Sequence, residues 1–296
     1  MLKKSVSYLG SIFFILFLTA CNEEASPVSK NGNEVAKAEE TKNGESELTA
    51  KEVYKKMVEA SSEVKSLGLK LDIDQEISTE ADGIILTTET RTDSKMIQEP
   101  FSLYQQIEIY YKNPATGEQE GKIDQYLTDE GFFMHDIEGD QWGRYNADYT
   151  EVAKGLNLQP GTNQLDSLKD LESFADDFTF EQEADQYVLT LAGNDEKLNE
   201  YVKGSLPANI PELETALKSM TLQEVEYEIF IDKNTFLPSV MNVDMNIGIS
   251  ENGNSLVLEQ SIESSYYDYN KIDKIVLPKE ALDNPNEINL NDTTSM

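Results

Sequence analysis

Side chains that do covalent chemistry are scarce in this sequence. His135 is the only histidine and Cys21 the only cysteine. A Ser-His-Asp arrangement would have to use His135, yet the Gly-x-Ser-x-Gly elbow that presents a nucleophilic serine is missing. Zinc takes several His or Cys ligands, which one of each does not supply. No glycine-rich phosphate loop is present. Carboxylates are abundant, 56 Asp and Glu in 296 residues, so acid pairs able to cleave a glycoside are available without any spacing that marks one. Asp72 and Asp74 share a strand face, and Asp283, Asn286 and Glu287 cluster near the end. Neither group has the loop with a central glycine of a dedicated calcium site. Trp142 and the tyrosines offer a sugar platform or ordinary core packing. The expectation is a non-catalytic protein with no cofactor and no metal.

Cys21 is the residue with a readable fate. Lys3 and Lys4 open a positive start, an apolar run follows from Ile12 to Leu18, and Thr19-Ala20 are small. That is the layout of a signal peptide, and the run is short for a membrane-spanning helix. Leu18-Thr19-Ala20-Cys21 resembles the bacterial lipobox. The resemblance implies cleavage after residue 20, a diacylglycerol on the Cys21 thiol and an acylated new amino terminus. Two signals of this kind anchor stably where one chain is marginal. The alternative is a cleaved signal followed by an accidental cysteine. The expected location is the extracytoplasmic face of the cell membrane. A lone cysteine also excludes an intramolecular disulfide, so the folded part must be held by its core.

The formal charge is -32, and losing Lys3 and Lys4 makes the mature chain more acidic still. Such a surface excludes nucleic acid as a partner, since that needs basic patches. It is repelled by anionic head groups and wall polymers, and it keeps the protein soluble.

The elements that position everything else follow in order. Residues 21–47 are polar and read as a lipid-anchored disordered tether. Thr49-Ala50-Lys51-Glu52 is a capping box, so a helix starts there and runs to about Lys65. Val53, Met57, Ala60 and Val64 share one of its faces. The period then switches to two. Leu67, Leu69, Leu71, Ile73 and Ile77 alternate with polar residues, Asp82-Gly83 turns the chain, and a Thr-rich strand runs from Ile84 to Ile97. Further strands are expected at Leu103–Tyr111, Ile123–Thr128, Phe132–Ile137 and Gln141–Tyr145. Helices are expected at Tyr149–Leu158, Leu165–Ala175, Asp195–Val202 and Glu212–Ser219, with strands at Phe178–Glu181 and Gln186–Leu191. Three long strands close the pattern, around Val225–Ile231, Met241–Ile249 and Leu256–Ile262, joined by turns at Asp232–Thr235 and Asn252-Gly253. The domain is expected over 48–282, with a flexible tail at 283–296.

This amounts to an α+β fold with about eleven strands in one large curled antiparallel sheet whose concave side is packed with helices. A curled sheet with helices inside can leave a cavity between the layers. Gln75, Gln105 and Gln260 interrupt the apolar faces. They line a partly wet opening, or they lie at strand ends or bond locally. Met241 and Met245 form an adaptable lipid-contacting wall or plain core.

Two C-terminal stretches carry a wider resemblance. They are Phe230-Ile231-Asp232-Lys233-Asn234-Thr235-Phe236-Leu237-Pro238, and Tyr269-Asn270-Lys271-Ile272 through Ile275-Val276-Leu277-Pro278-Lys279-Glu280-Ala281. With the helix at Thr49 they resemble the DUF6612-type lipoproteins of Gram-positive bacteria. That group is similar to the mycobacterial LppX/LprG lipoproteins and, more distantly, to the LolA/LolB lipoprotein carriers. The resemblance implies a half-open barrel that holds acyl chains or acylated cargo. It brings no catalytic residue and no fixed cavity motif. The expected ligand-contacting residues come instead from the apolar strand faces: Leu71, Ile73, Ile107, Ile109, Tyr227, Ile229, Met241, Val243, Met245 and Leu258.

The leading expectation is a monomeric envelope lipoprotein that binds or carries a lipid or other hydrophobic ligand, anchored to the membrane through Cys21. Two others stay open. One is an interaction or sensing module for an envelope protein partner, with no ligand cavity. The other is a wall-polymer hydrolase, which requires two carboxylates facing each other across a cleft.

Overall fold

The computed structural model describes residues 48–79, 83–145, 164–205, 219–251, 254–283 and 285–288. The signal, Cys21 and the tether lie outside them. So do Asp82, Asn252-Gly253 and the helices expected over Tyr149–Leu158 and Glu212–Ser219, Ser219 aside.

Helix α1 (Ala50–Ser62) begins at the capping box. The Glu52 amide donates to Thr49 Oγ1 at 3.3 Å, and the Thr49 amide donates to Glu52 Oε2 at 2.8 Å. Two amides of the first turn, which has no intrahelical acceptors, are satisfied this way. Val53, Tyr54, Met57 and Ser61 form the buried face.

Six strands follow as a meander: β1 (Ser66–Thr79), β2 (Gly83–Gln98), β3 (Phe101–Asn113), β4 (Gly117–Thr128), β5 (Gly131–Asp136) and β6 (Gln141–Tyr145). The chain then passes through a 3-10 helix (Gln164–Phe174), where the periodicity of Leu165, Leu168 and Leu171 predicts a helical segment. It resumes with β7 (Thr179–Gln182), β8 (Gln186–Gly193), α2 (Glu196–Ser205), β9 (Met220–Asp232), β10 (Pro238–Glu251) and β11 (Asn254–Tyr267). Helix α3 (Lys279–Asp283) and β12 (Asn286–Ile288) end it.

All of these strands join one open, curled twelve-stranded sheet in the order β12-β6-β5-β4-β3-β2-β1-β11-β10-β9-β8-β7. Neighbours are antiparallel except β12, which lies parallel to β6. The first meander runs outward from β1 to β6. The second starts at the far edge with β7 and returns until β11 lies against β1.

Two differences from expectation have physical causes. β4 begins at Gly117, six residues before the apolar alternation at Ile123. Residues 117–122 offer no apolar face, but the ladder to β3 carries them, and Lys112 Nζ meets Glu118 at 3.0 Å across it. β12 lies within the stretch expected to be a flexible tail. It pairs with the free edge of β6 because Gly143 leaves room: a Cβ there would lie 2.4 Å from Ile288 Cδ1.

The helices cover the inner face of one half of the sheet. Val53, Tyr54 and Met57 of α1, Leu168 and Phe174 of the 3-10 helix and Leu198 and Val202 of α2 pack on β8 to β11 and β1 in one large cluster. Met96, Leu103, Leu127 and Phe132 make a second cluster on β2 to β5. The register places Leu67, Met96, Leu103, Leu127 and Phe132 opposite one another, so both clusters share the inner face. Helix α3 differs: Ala281 and the preceding Leu277 seal Phe133 on the outer face, beside Tyr126 and Trp142.

The seam between the meanders is the pairing of β1 with β11, in register from Gly68–Tyr267 to Thr79–Leu256. The chain just past β11 fastens it. The Lys65 amide donates to Asn270 Oδ1 at 2.7 Å, and the Asn270 amide donates to Ser66 O at 2.7 Å. The Ile272 amide donates to Ser66 Oγ at 3.2 Å. Asn270 adopts φ 56°, a left-handed conformation that asparagine tolerates better than most residues. On the outer face the Tyr267 ring lies over Gly68, and its hydroxyl donates to Asp93. A Cβ at position 68 would fall 2.3 Å from that ring. Gly68→Ala is therefore expected to lower stability by about 1–3 kcal/mol through overpacking. Thermal unfolding checks this, and the double variant Gly68→Ala/Tyr267→Leu is expected to recover part of the loss.

Candidate functional site

The strand register brings the ten apolar residues expected at a site onto neighbouring cross-strand rows of the inner face. One row reads Ile229, Met241, Ser264, Leu71, Thr92, Ile107. The next reads Tyr227, Val243, Ile262, Ile73, Thr90, Ile109. Met245 and Leu258 sit on the two rows below, beside Gln260 and Ile247 respectively. Placement on one face does not make them all accessible. Ile73, Ile107, Tyr227, Ile229, Met241, Val243, Met245 and Leu258 are buried, whereas Leu71 and Ile109 are half-exposed. Most of the ten are thus the floor of a packed core.

The accessible apolar surface lies one step further along the strands. Ile77 pairs with Leu86 on one side and Leu258 on the other, and Leu256 pairs with Ile249. Ile77, Leu86, Ile249 and Leu256 are all half-exposed. The alternation in β1, β10 and β11 signals these positions, but alternation gives a face and not a depth.

A polar band crosses the inner face between its two apolar clusters. Thr90, Thr92 and Ser94 of β2 are buried there, with Gln105, Gln260 and Ser264. The signal for it is the period-two run Thr88-x-Thr90-x-Thr92-x-Ser94. Gln105 Nε2 donates to Ser94 Oγ at 3.1 Å. Gln75 Nε2 donates to Gln260 Oε1 at 2.8 Å, across the register pair they form. Local bonding therefore accounts for Gln75 and Gln105. Among the described residues, Gln260 keeps a buried Nε2 with no acceptor, and the buried Tyr227 hydroxyl also lacks a partner. Burial pushes the Tyr227 phenol up from its ordinary range, so it stays neutral.

The outer face is a different surface. A depression of about 560 Å³ lies over β9, β10, β11, β1 and β2. Like charges stand directly opposite one another across its strands: Glu226 and Asp244, Asp74 and Glu89, Glu76 and Glu259. Arg91 relieves one side of it, with NH1 at 2.9 Å from Glu89 Oε2 and Nε at 3.7 Å from Asp72 Oδ1. The acid of a glycoside hydrolase needs a desolvated carboxyl, and these side chains are exposed or half-exposed. Among the described residues, no three or more His, Cys, Asp and Glu side chains are grouped to hold a metal ion. His135 stacks on Trp142 at 4.4 Å and meets Asp140 at 3.2 Å through Nε2, on β5, three strands from the β2 border of this depression.

Opposed like charges on paired strands destabilise the sheet. Glu226→Gln and Glu76→Gln are each expected to raise stability by about 0.2–1 kcal/mol at low salt. The gain should shrink near 0.5 M sodium chloride, where screening already weakens the repulsion. Chemical denaturation at the two salt concentrations measures both effects.

No curated protein matches the chain. Among solved structures it is similar to LprF from Mycobacterium bovis, at 9% identity and a TM-score of 0.39, over 77% of this chain and 95% of that one. It is also similar to a DUF1329 family protein from Desulfovibrio piger, at 11% identity and a TM-score of 0.23, over 78% of this chain and 95% of that one. No described helix is long and apolar enough to cross a membrane. Residues 49–286 match a family of unknown function, DUF6612. That span covers β1 to β11, the helices and both C-terminal stretches singled out in the sequence, and the chain belongs to this family.

Proposed function

We propose that this is a membrane-anchored envelope lipoprotein that binds a hydrophobic ligand on the inner face of its sheet, without covalent chemistry. The observation that carries the reading is the row of half-exposed aliphatic side chains, Ile77, Leu86, Ile249 and Leu256, continuous with the buried core. Aliphatic surface left half-covered beside a filled core costs free energy that an acyl chain recovers, at about 0.8 kcal/mol for each methylene buried. The rows hold no Lys, Arg, Asp or Glu, so the surface fits the apolar part of a lipid. The opposite face carries the acidic groups and keeps the domain soluble. Cys21 supplies the membrane attachment, and the polar stretch after it sets the reach of the domain.

Native mass spectrometry of the protein purified from its own host tests the binding. One co-purified lipid per chain is the expected result. Leu86→Asp, which places a charge in the aliphatic row, is expected to reduce occupancy at least tenfold while the fold persists by circular dichroism. A lipid-free mass that stays lipid-free after incubation with host membrane lipids overturns the reading and leaves the protein-interaction alternative. For the anchor, metabolic labelling with a palmitate analogue should mark the wild type. Cys21→Ser should lose the label and appear in the medium.

A further inference from the structure

We infer that Gln260 is a specificity-determining residue that donates a hydrogen bond to a neutral acyl carbonyl of the ligand, an ester or an amide. This rests on the hydrophobic-ligand reading above and names the polar chemistry that accompanies the chain. Gln260 is 3% exposed. Its Oε1 accepts from Gln75 Nε2 at 2.8 Å, which leaves Nε2 as the unengaged end of the amide. Its Nε2 carries two hydrogens, is buried, and has no acceptor among the described residues. A buried donor left unmet is destabilising, so an acceptor that reaches it gains affinity.

The place of the donor decides what would meet it. Gln260 lies between two rows of the inner face. On one side is the filled row of Ile262, Val243 and Ile73, and on the other the row of Leu258 and Ile77 that leads to half-exposed Leu86. Rows on one face are about 7 Å apart along the strands. An aliphatic chain lying over Ile77 and Leu86 therefore brings its terminal functional group to Gln260. Met245 is the neighbour of Gln260 on β10 and is 6% exposed. Its unbranched side chain adapts readily to an incoming group. The partner must accept a hydrogen bond. It must also be neutral: no Lys or Arg stands on these rows to pair with a carboxylate, and the formal charge of the chain is -32. An uncompensated anion at a buried site is strongly disfavoured. An acyl ester or amide carbonyl meets both conditions and projects its oxygen from the chain, whereas an alkane or an ionised fatty acid fails one of them, and an ether oxygen, though it accepts, lies within the chain between two methylenes and does not reach out to a buried donor.

The test compares two lipids that differ in the carbonyl. The full chain, stripped of lipid, is titrated with 1,2-dipalmitoylglycerol and with its di-O-hexadecyl ether analogue, and occupancy is read by native mass spectrometry. Wild type is expected to prefer the ester about tenfold, the ratio that one well-made hydrogen bond supports. Gln260→Met, close in size and lacking the donor, is expected to lose that preference, so that ester and ether bind alike. In the wild type, the infrared band of carbonyl-labelled dipalmitoylglycerol should move to lower wavenumber on binding. Equal affinity for ester and ether in the wild type, with no band shift, overturns the assignment and leaves the hydrophobic-ligand reading standing. A preference that survives in Gln260→Met overturns it as well. Failure of the wild type to bind either lipid removes both.

Discussion

The structure depends on one pairing, that of β1 with β11. These strands are almost two hundred residues apart in the sequence, and each belongs to a meander that local turns can form alone. Only their ladder makes a single sheet of the two. The inner-face rows through Ser264 and Ile262 cross it, from β9 and β10 on one side to β2 and β3 on the other. Contacts so distant in sequence carry a large loop-closure cost. The hydrogen bonds from Asn270 and Ser66 and the packing of Tyr267 on Gly68 are concentrated where that cost has to be met.

The sequence stretches that carry the family resemblance are structural fasteners. In the first, the Asp232 carboxylate accepts from the Asn234 and Thr235 amides at 3.0 and 2.8 Å and holds the β9–β10 turn. These hydrogen bonds, that of the Thr235 amide foremost, keep the Asp232 carboxyl below its ordinary range. In the second, Asn270 latches the seam and Leu277 and Ala281 seal Phe133. The two stretches also touch, since Tyr269 Oη donates to Pro238 O at 2.6 Å. In this chain the two stretches therefore serve to hold the sheet together.

That distinction explains what could be read in advance. The capping box at Thr49, the alternation in β1 and β9 to β11 and the turn at Asp232 are local, and each appears where its chemistry places it. The early part of β4 and the short β12 take their conformation from a neighbour's free edge, which no local pattern announces. The candidate site follows the same division. Period two assigned Tyr227, Val243 and Met245 to the inner face correctly, but depth comes from what packs above them, and α1, α2 and the 3-10 helix bury them. The half-exposed Leu86 and Leu256 differ from these only in lying beyond that cover. Gln260 reads in sequence as a polar interruption. Its orphaned donor is visible only once Gln75 is seen to hold its other end.

An open sheet has two edges, and here both are short: β7 has four residues and β12 has three. Between them lie strands of up to sixteen residues, any of which would make a long template for strand addition if it stood at a border. The chain places its smallest strands at both limits, so a neighbouring copy meets few free backbone donors and acceptors. Edge-to-edge growth, otherwise the ready path to aggregation when copies meet, is thereby limited by the shape of the sheet itself.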